Sequence, residues 1–350
     1  MCLSIIITIL IFGIVVMIHE WGHFISAKKC GVTVEEFAIG MGPKLWKKQR
    51  GETLYSVRLF PIGGFCKMAD ENDESSKKVG FNNISVWKRM IVILAGVFMN
   101  FVLAIFINAV IIMFIGYAGN TVLEVITDSP AERAGIMAGD KIVSINNSST
   151  NLFDDIAFSL SQRKGENVIV GYERNGEYFE ANINVPRKEN LGIKVDRKVS
   201  LFEKSSEGFE SVGFFDSVRA GFWKGVYMVK ITFYGIGQLF TMQVSLDDVA
   251  GPIGLTSAVD TVYEKTIQVS IWNTVISMAE IAALLSANLG VMNLLPIPAL
   301  DGGRFVFLII EAIRRKPIPP EKEGMIHFAG FAILMAFGIL VAFNDVFKLL

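Results

Sequence analysis

Thiols and histidines are scarce in this chain of 350 residues, and there is no excess of positive charge. Its three cysteines are Cys2, Cys30 and Cys66, and no two are spaced as C-x-x-C. That spacing excludes a disulfide framework and a thiolate zinc site. Nothing before Cys2 could be removed by a signal peptidase, so it is read as unmodified. The net charge is −1 with no basic stripe, which leaves no nucleic-acid footprint and no nucleic-acid partner. Only three histidines occur, and two of them frame a single glutamate.

Apolar residues, in contrast, are abundant. Hydrophobic content is 52% and mean hydropathy is +0.47, which reads as an integral membrane protein. Four stretches approach the roughly 20 apolar residues that a bilayer needs, near 2–24, 91–116, 272–296 and 325–347. Between His23 and Met90 the chain carries twelve lysines and arginines, and Arg304, Arg314, Arg315, Lys316 and Lys322 precede the fourth stretch. Cytoplasmic loops collect such residues, so both termini and the central polar segment are expected outside the cell. Residues 217–244 are apolar too, but Arg219, Lys224 and Lys230 interrupt them and aromatics are frequent, as in a helix lying in the interface. A fifth span there would also put the end of the third span on the wrong side of the membrane for the site described next.

The uncharged run from Leu3 to Ile18 leads directly into H-E-W-G-H. An acidic side chain at membrane depth costs on the order of 2.5–3.5 kcal/mol on insertion scales and marks a functional site. No basic start or small-residue cleavage site accompanies the run, as a cleavable signal peptide would require. On a helix, His19 and His23 share a face and can present two imidazoles to one metal ion. Glu20 between them is placed as the base toward a water on that ion. A catalytic zinc takes three protein ligands. His327 stands alone in a helical flank and is a poor third. Asp301 is better, in N-L-L-P-I-P-A-L-D-G-G (Asn293 to Gly303), where two prolines must open the helix. Opened backbone at membrane depth is tolerated only where it is buried in protein or lines a cavity.

With these motifs in view, the chain resembles the site-2 protease family of intramembrane zinc metalloproteases, in particular the regulator-of-sigma-E-protease-like group. The resemblance extends over nearly the whole chain. Similar too are F-A-I-G-M-G-P-K-L-W (Phe37 to Trp46), F-P-I-G-G-F-C-K-M (Phe60 to Met68) and A-G-V-F-M-N (Ala95 to Asn100), although Val97 stands where the family usually has proline. It implies that His19, His23 and Asp301 hold Zn2+, that Glu20 activates water, and that Asn293 contacts the substrate backbone. Ser129 to Asn146 (S-P-A-E-R-A-G-I-M-A-G-D-K-I-V-S-I-N) looks like part of a PDZ domain, one unit where some relatives have two.

The expected architecture is an α-helical polytopic membrane protein of about four transmembrane helices with a membrane-associated β-hairpin and one extracytoplasmic PDZ-like α/β domain. Its expected parts are helix 1 at 1–24, a basic loop with the hairpin at 25–90, helix 2 at 91–116 and the PDZ-like domain at 120–188. A linker with interfacial helices follows at 189–270, then helix 3 at 271–303, a loop at 304–324 and helix 4 at 325–347. An edge strand of the hairpin would accept an extended substrate, with Gly40, Gly42, Gly63 and Gly64 as contact candidates. Expected partners are the lipid bilayer, single-span membrane proteins (anti-sigma factors or signal-peptide remnants) and a site-1-type protease that trims them first, in a bacterial cell membrane. Other readings of the same residues are a PDZ-bearing membrane adaptor with a vestigial metal site and a metal transporter. The second and fourth spans carry almost no acidic or histidine residues, which speaks against transport.

Overall fold

The computed structural model describes residues 2–69, 79–163, 165–186, 190–202, 210–241, 243 and 250–349. Lys77 and Lys78 of the basic stretch, and positions 242 and 244 of the 217–244 segment, lie outside the described residues. Two compact units form, one from Met1–Ala104 with Met228–Leu350, the other from Ile105–Tyr227.

Among the described residues, four helices are long and apolar enough to cross a membrane: Leu3–Cys30, Val86–Ile115, Ile271–Leu294 and Glu321–Lys348. They lie within α1 (Cys2–Cys30), α2 (Val86–Ile115), α7 (Ile271–Leu294) and α9 (Pro320–Leu349). In hydrocarbon a helix satisfies its own backbone polar groups, which makes it the natural form for these runs. α5, Phe214–Phe240, keeps its three cations and is not among the four.

Between α1 and α2 lie β1, Val34–Arg50, and β2, Thr53–Met68. The hairpin is present, and it is folded on itself. Ile39 pairs with Gly64 and also with Val57, and Phe37 pairs with both Cys66 and Tyr55, while Trp46 pairs with Val57 and Arg50 with Thr53. Four arms result, in the order 44–50, 53–58, 36–39 and 64–68. Left-handed backbone at Gly40 (φ 84°), Gly42 (φ 87°) and Gly63 (φ 76°) lets each long strand reverse. Glu36 ties the central arms together, accepting hydrogen bonds from Ser56 Oγ at 2.6 Å, Arg58 Nη2 at 2.8 Å and Lys44 Nζ at 3.1 Å.

Burial alone would raise the carboxyl pKa of Glu36, but these three partners hold it at about 2, down from 4.5. A folded-state pKa below the unfolded one stabilises above the unfolded value and is lost as pH falls through the folded one. Glu36→Gln is therefore expected to lower unfolding stability by about 1.5–3 kcal/mol at pH 7. In denaturant titrations the gap from wild type should close between pH 4.5 and about 2.

α7 starts at Ser270, whose hydroxyl caps Asn273 N–H, and stops at Leu294 because Pro296 and Pro298 follow. The chain then turns through Ala299 (φ 79°) and restarts as α8, Asp301–Arg314. Residues assigned from sequence partly to the third span and partly to a loop thus form a separate helix. It packs Phe305, Leu308 and Ala312 on Met90 and Ile93 of α2, and Glu311 pairs with Arg89. Three contacts fix the break. Ala299 N–H donates to His327 Nδ1 at 2.8 Å, Gly330 leaves room for Pro298, and Gly302 and Gly303 press on the carbonyls of Leu295 and Ile297. A Cβ at Gly302 would come within 2.2 Å of the Leu295 oxygen, so only glycine lets the chain fold back this tightly.

α6, Pro252–Ile267, opens with G-P-I-G. Buried Asp345 of α9 accepts from Gly251 N–H at 3.2 Å and Gly254 N–H at 2.8 Å, placing a carboxylate at the positive end of α6. Either glycine's Cβ would meet that carboxylate within 2.6–2.9 Å, which accounts for the motif.

The second unit holds β3 (Tyr117–Val125), α3 (Pro130–Arg133), β4 (Lys141–Ile145), β5 (Ser148–Ser149), α4 (Phe153–Ser161), β6 (Asn167–Arg174), β7 (Glu177–Asn184) and β8 (Ile193–Lys198). Its sheet runs β7-β6-β4-β3-β8, with β5 on β4. Ile142, Ile145, Ile156, Val168, Val170 and Ile183 fill the core. Ser129 caps α3 at Glu132 N–H, and Pro130 occupies its first turn, as S-P-A-E requires. A cleft of about 330 Å³ is lined by Ile156 and Leu160 of α4 and by Leu191 and Ile193 at the start of β8.

Candidate metal centre

α1 carries His19, Glu20 and His23 in its second half, and α2 packs closely behind them. Gly22 permits this approach, since a Cβ there would lie 2.4 Å from the Ala95 carbonyl. At Gly96 a Cβ would lie 2.5 Å from His23 Nε2 and 2.9 Å from His19 Cε1, so this glycine makes room for both imidazoles. The rings are buried, 4.7 Å apart between centroids and nearly perpendicular. His23 Nδ1 donates to the Val92 carbonyl at 2.8 Å, which leaves Nε2 as the lone-pair nitrogen. The Asn100 carboxamide lies 3.2 Å from His19 Nδ1.

Asp301, the first residue of α8, brings its carboxylate to the same point. Asp301 Oδ2 is 3.0 Å from His19 Nε2 and 3.2 Å from His23 Nε2, and the two nitrogens are 3.1 Å apart. Donor atoms about 2.0–2.1 Å from a tetrahedral zinc stand about 3.3 Å from one another, so this near-equilateral triangle has a metal's dimensions. Asp301 Oδ2 is buried without a hydrogen-bond partner. Lone pairs from three atoms converging at such distances repel unless a metal ion or a shared proton lies among them. The donor set, two imidazoles and one carboxylate, suits a catalytic zinc with one position left open.

Glu20 points toward the sheet, where its Oε2 accepts from Cys66 N–H at 3.0 Å. The 64–68 arm, at the sheet's edge, thus orients the Glu20 carboxylate. Asn293 of α7 reaches the cluster, with Nδ2 3.4 Å from His19 Nε2. Of the four glycines singled out from sequence, Gly64 alone lies beside Glu20, 3.8 Å from its Cγ to an added Cβ. Gly40 and Gly42 face Phe60, and Gly63 faces Met41, so these three shape the sheet's turns. A cavity of about 530 Å³ adjoins the cluster, lined by Glu20, His23, Asp301, Arg89, Arg304 and Glu323.

Sequence alone assigns no role to the glycine and asparagine of A-G-V-F-M-N, and His327 reads there as a poor ligand. The structure uses all three, with Gly96 and Asn100 against the imidazoles and His327 on the loop before Asp301. An asparagine in the middle of an apolar span was the available signal, because a polar group there needs a partner. Val97 is buried in an unbroken α2, so the site forms without proline at that position. Gly96→Ala is expected to force the two rings apart, at an overpacking cost of about 1–3 kcal/mol. Metal content after dialysis against a weak chelator should fall well below wild type, with α-helical circular dichroism unchanged.

Residues 7–337 match the profile of Peptidase family M50. The chain belongs to this family. Its members include the site-2 proteases, and an M50 chain with these relatives is a zinc metalloprotease. The zinc metalloprotease RasP of Shouchella clausii is 32% identical across 97% of this chain and 98% of its own length. RasP of Geobacillus kaustophilus is 31% identical across 99% and 98%. A Clostridium acetobutylicum relative with a zinc-metalloprotease name is 37% identical across 98% and 97%. The two RasP alignments run to 422 and 428 positions against 350 residues here, so those relatives contain stretches this M50 chain lacks. Among solved structures, the PDZ domain of an SdrC-like protein from Listeria monocytogenes covers 23% of this chain and 88% of its own, at 24% identity and TM-score 0.21.

Proposed function

We propose that this M50 peptidase hydrolyses peptide bonds within the transmembrane segments of single-span membrane proteins, with His19, His23 and Asp301 holding its zinc. The triangle of 3.0, 3.1 and 3.2 Å between their donor atoms, two of them within a membrane-length helix, carries this reading. Held by these three residues, zinc would supply a Lewis acid able to acidify a water to a pKa of about 7 and to polarise the scissile carbonyl. Glu20 accepts the proton of the attacking water and returns it to the departing amine. Cys66 N–H keeps the Glu20 carboxylate turned toward the open 64–68 edge, where an unwound substrate can lie in extended form. Asn293 holds the substrate backbone beside the metal. The polar cavity against Glu20 and Asp301 supplies water.

The lysine and arginine bias supports a cytoplasmic 25–90 stretch, with the termini and the PDZ-like unit outside the membrane of a bacterial cell. Helical substrates resist hydrolysis until shortened and unwound, so a site-1-type protease is expected to cut first. Anti-sigma factors and signal-peptide remnants are substrates of this kind.

The test is cleavage of a panel of tagged single-span segments by the purified protein in proteoliposomes. Cleavage that o-phenanthroline stops and added zinc restores supports the reading. Segments that bind and remain intact under all metal conditions would make the protein an adaptor with a vestigial site.

A further inference from the structure

His19 and His23 are held from behind by one face of α2. Val92, Gly96 and Asn100 are spaced four residues apart, and each meets an imidazole. The Val92 carbonyl fixes the tautomer of His23. Asn100 faces the corresponding nitrogen of His19 and is fully buried. As placed, its Nδ2 approaches His19 Nδ1 while its Oδ1 has no partner. That arrangement would require His19 to carry its proton on Nε2, aimed at Asp301 and His23, and would leave a buried acceptor unpaired. A half-turn of the carboxamide pairs Oδ1 with the ring and takes that proton off Nε2, and amide oxygen and nitrogen are assigned from the hydrogen-bond network in any case. With Oδ1 toward the ring, His19 Nδ1–H donates to it and the Nε2 lone pair faces the triangle.

We infer that Asn100 is a positioning residue of the metal centre: its Oδ1 accepts from His19 Nδ1–H and sets the tautomer and ring angle that let Nε2 bind zinc. A metal-bound histidine generally donates its other N–H to a fixed acceptor, and His19 has this one. Asn100 is itself anchored, since its backbone carbonyl accepts from Ser286 Oγ of α7 at 2.8 Å. The helix that leads to Asp301 therefore registers against the helix that orients His19. The inference rests on the zinc assignment under Proposed function.

The test uses the full-length protein in nanodiscs with ring-15N histidine. In the zinc-loaded wild type, His19 is expected to show a protonated Nδ1 and a metal-bound Nε2. Asn100→Leu removes the acceptor at similar volume, and zinc affinity in chelator competition is expected to fall about 10–100-fold. Asn100→Asp keeps an acceptor oxygen and is expected to stay within about threefold of wild type, as in carboxylate–histidine–zinc triads. A purely structural role would lower the thermal midpoint of the metal-free protein in both variants and leave the affinity contrast absent. Equal affinity of Asn100→Leu and wild type overturns the inference, as does Asn100→Asp losing as much as Asn100→Leu. Zinc bound through His19 Nδ1 in the wild-type spectrum overturns it too, and that spectrum decides the matter should Asn100→Leu fail to fold. Wild-type protein that takes up no zinc overturns the metal centre as well.

Discussion

Asp301→Ala is expected to lose zinc and activity together while the helices stay assembled. The carboxylate supplies two sides of the donor triangle, at 3.0 and 3.2 Å from the imidazole nitrogens. Without it, two histidines remain on one helix, a pair that cannot enclose a tetrahedral ion. Losing even the partner of a ligand lowers metal affinity about 10–100-fold, so losing the ligand itself should lower it by more than about 100-fold. The loop that delivers Asp301 depends on Gly302, Gly303, Gly330 and the Ala299–His327 hydrogen bond, none of which uses the carboxylate. Thermal unfolding of the metal-free protein should therefore change little. Metal content by emission spectroscopy, read beside cleavage of a tagged segment, checks this. Full zinc and full cleavage in the variant would show that another group is the third ligand.

The parts of this centre that could be read from sequence are local. His19 and His23 are four apart, and helical geometry alone puts them on one face. Asp301 was readable because Pro296 and Pro298 announce a break in an apolar run, and a broken helix at membrane depth needs a reason. Features set by a partner element were not readable. Gly96 looks like any glycine in a span until α1 brings two imidazoles to within 2.5–2.9 Å of its missing Cβ. Asp345 looks like a stray charge near the chain's end until α6 presents two N–H groups to it. The sheet shows the same limit. Alternation in T-L-Y-S-V-R-L-F gives a strand, but the double register of residues 36–39 depends on where Gly40, Gly42 and Gly63 turn the backbone. α8 is hidden in the sequence for a related reason. Its apolar run, Phe305 to Ile310, is short, and it becomes a helix surface by packing on Met90 and Ile93.

Glu20→Gln separates chemistry from metal binding more cleanly than any other substitution. The side chain forms no part of the donor triangle, so zinc content should match wild type. Its hydrogen bond from Cys66 N–H can be kept by the amide oxygen, so the 64–68 arm should hold its place. What disappears is a group able to take a proton from water and pass it to the leaving amine. General acid–base catalysis of this kind contributes about 10²–10⁴-fold, and kcat is expected to fall by that factor. Since the lost interaction is made in the transition state, kcat and kcat/KM should fall equally, with KM unchanged. A rise in KM at constant kcat would instead mark Glu20 as a substrate contact. Cleavage at the wild-type rate by a zinc-loaded variant would mean that another base serves the reaction. Glu20→Asp provides the internal control: it keeps a carboxylate but draws it back by one methylene, away from both Cys66 and the water. Its activity should lie between wild type and Glu20→Gln, because a base remains but with shortened reach.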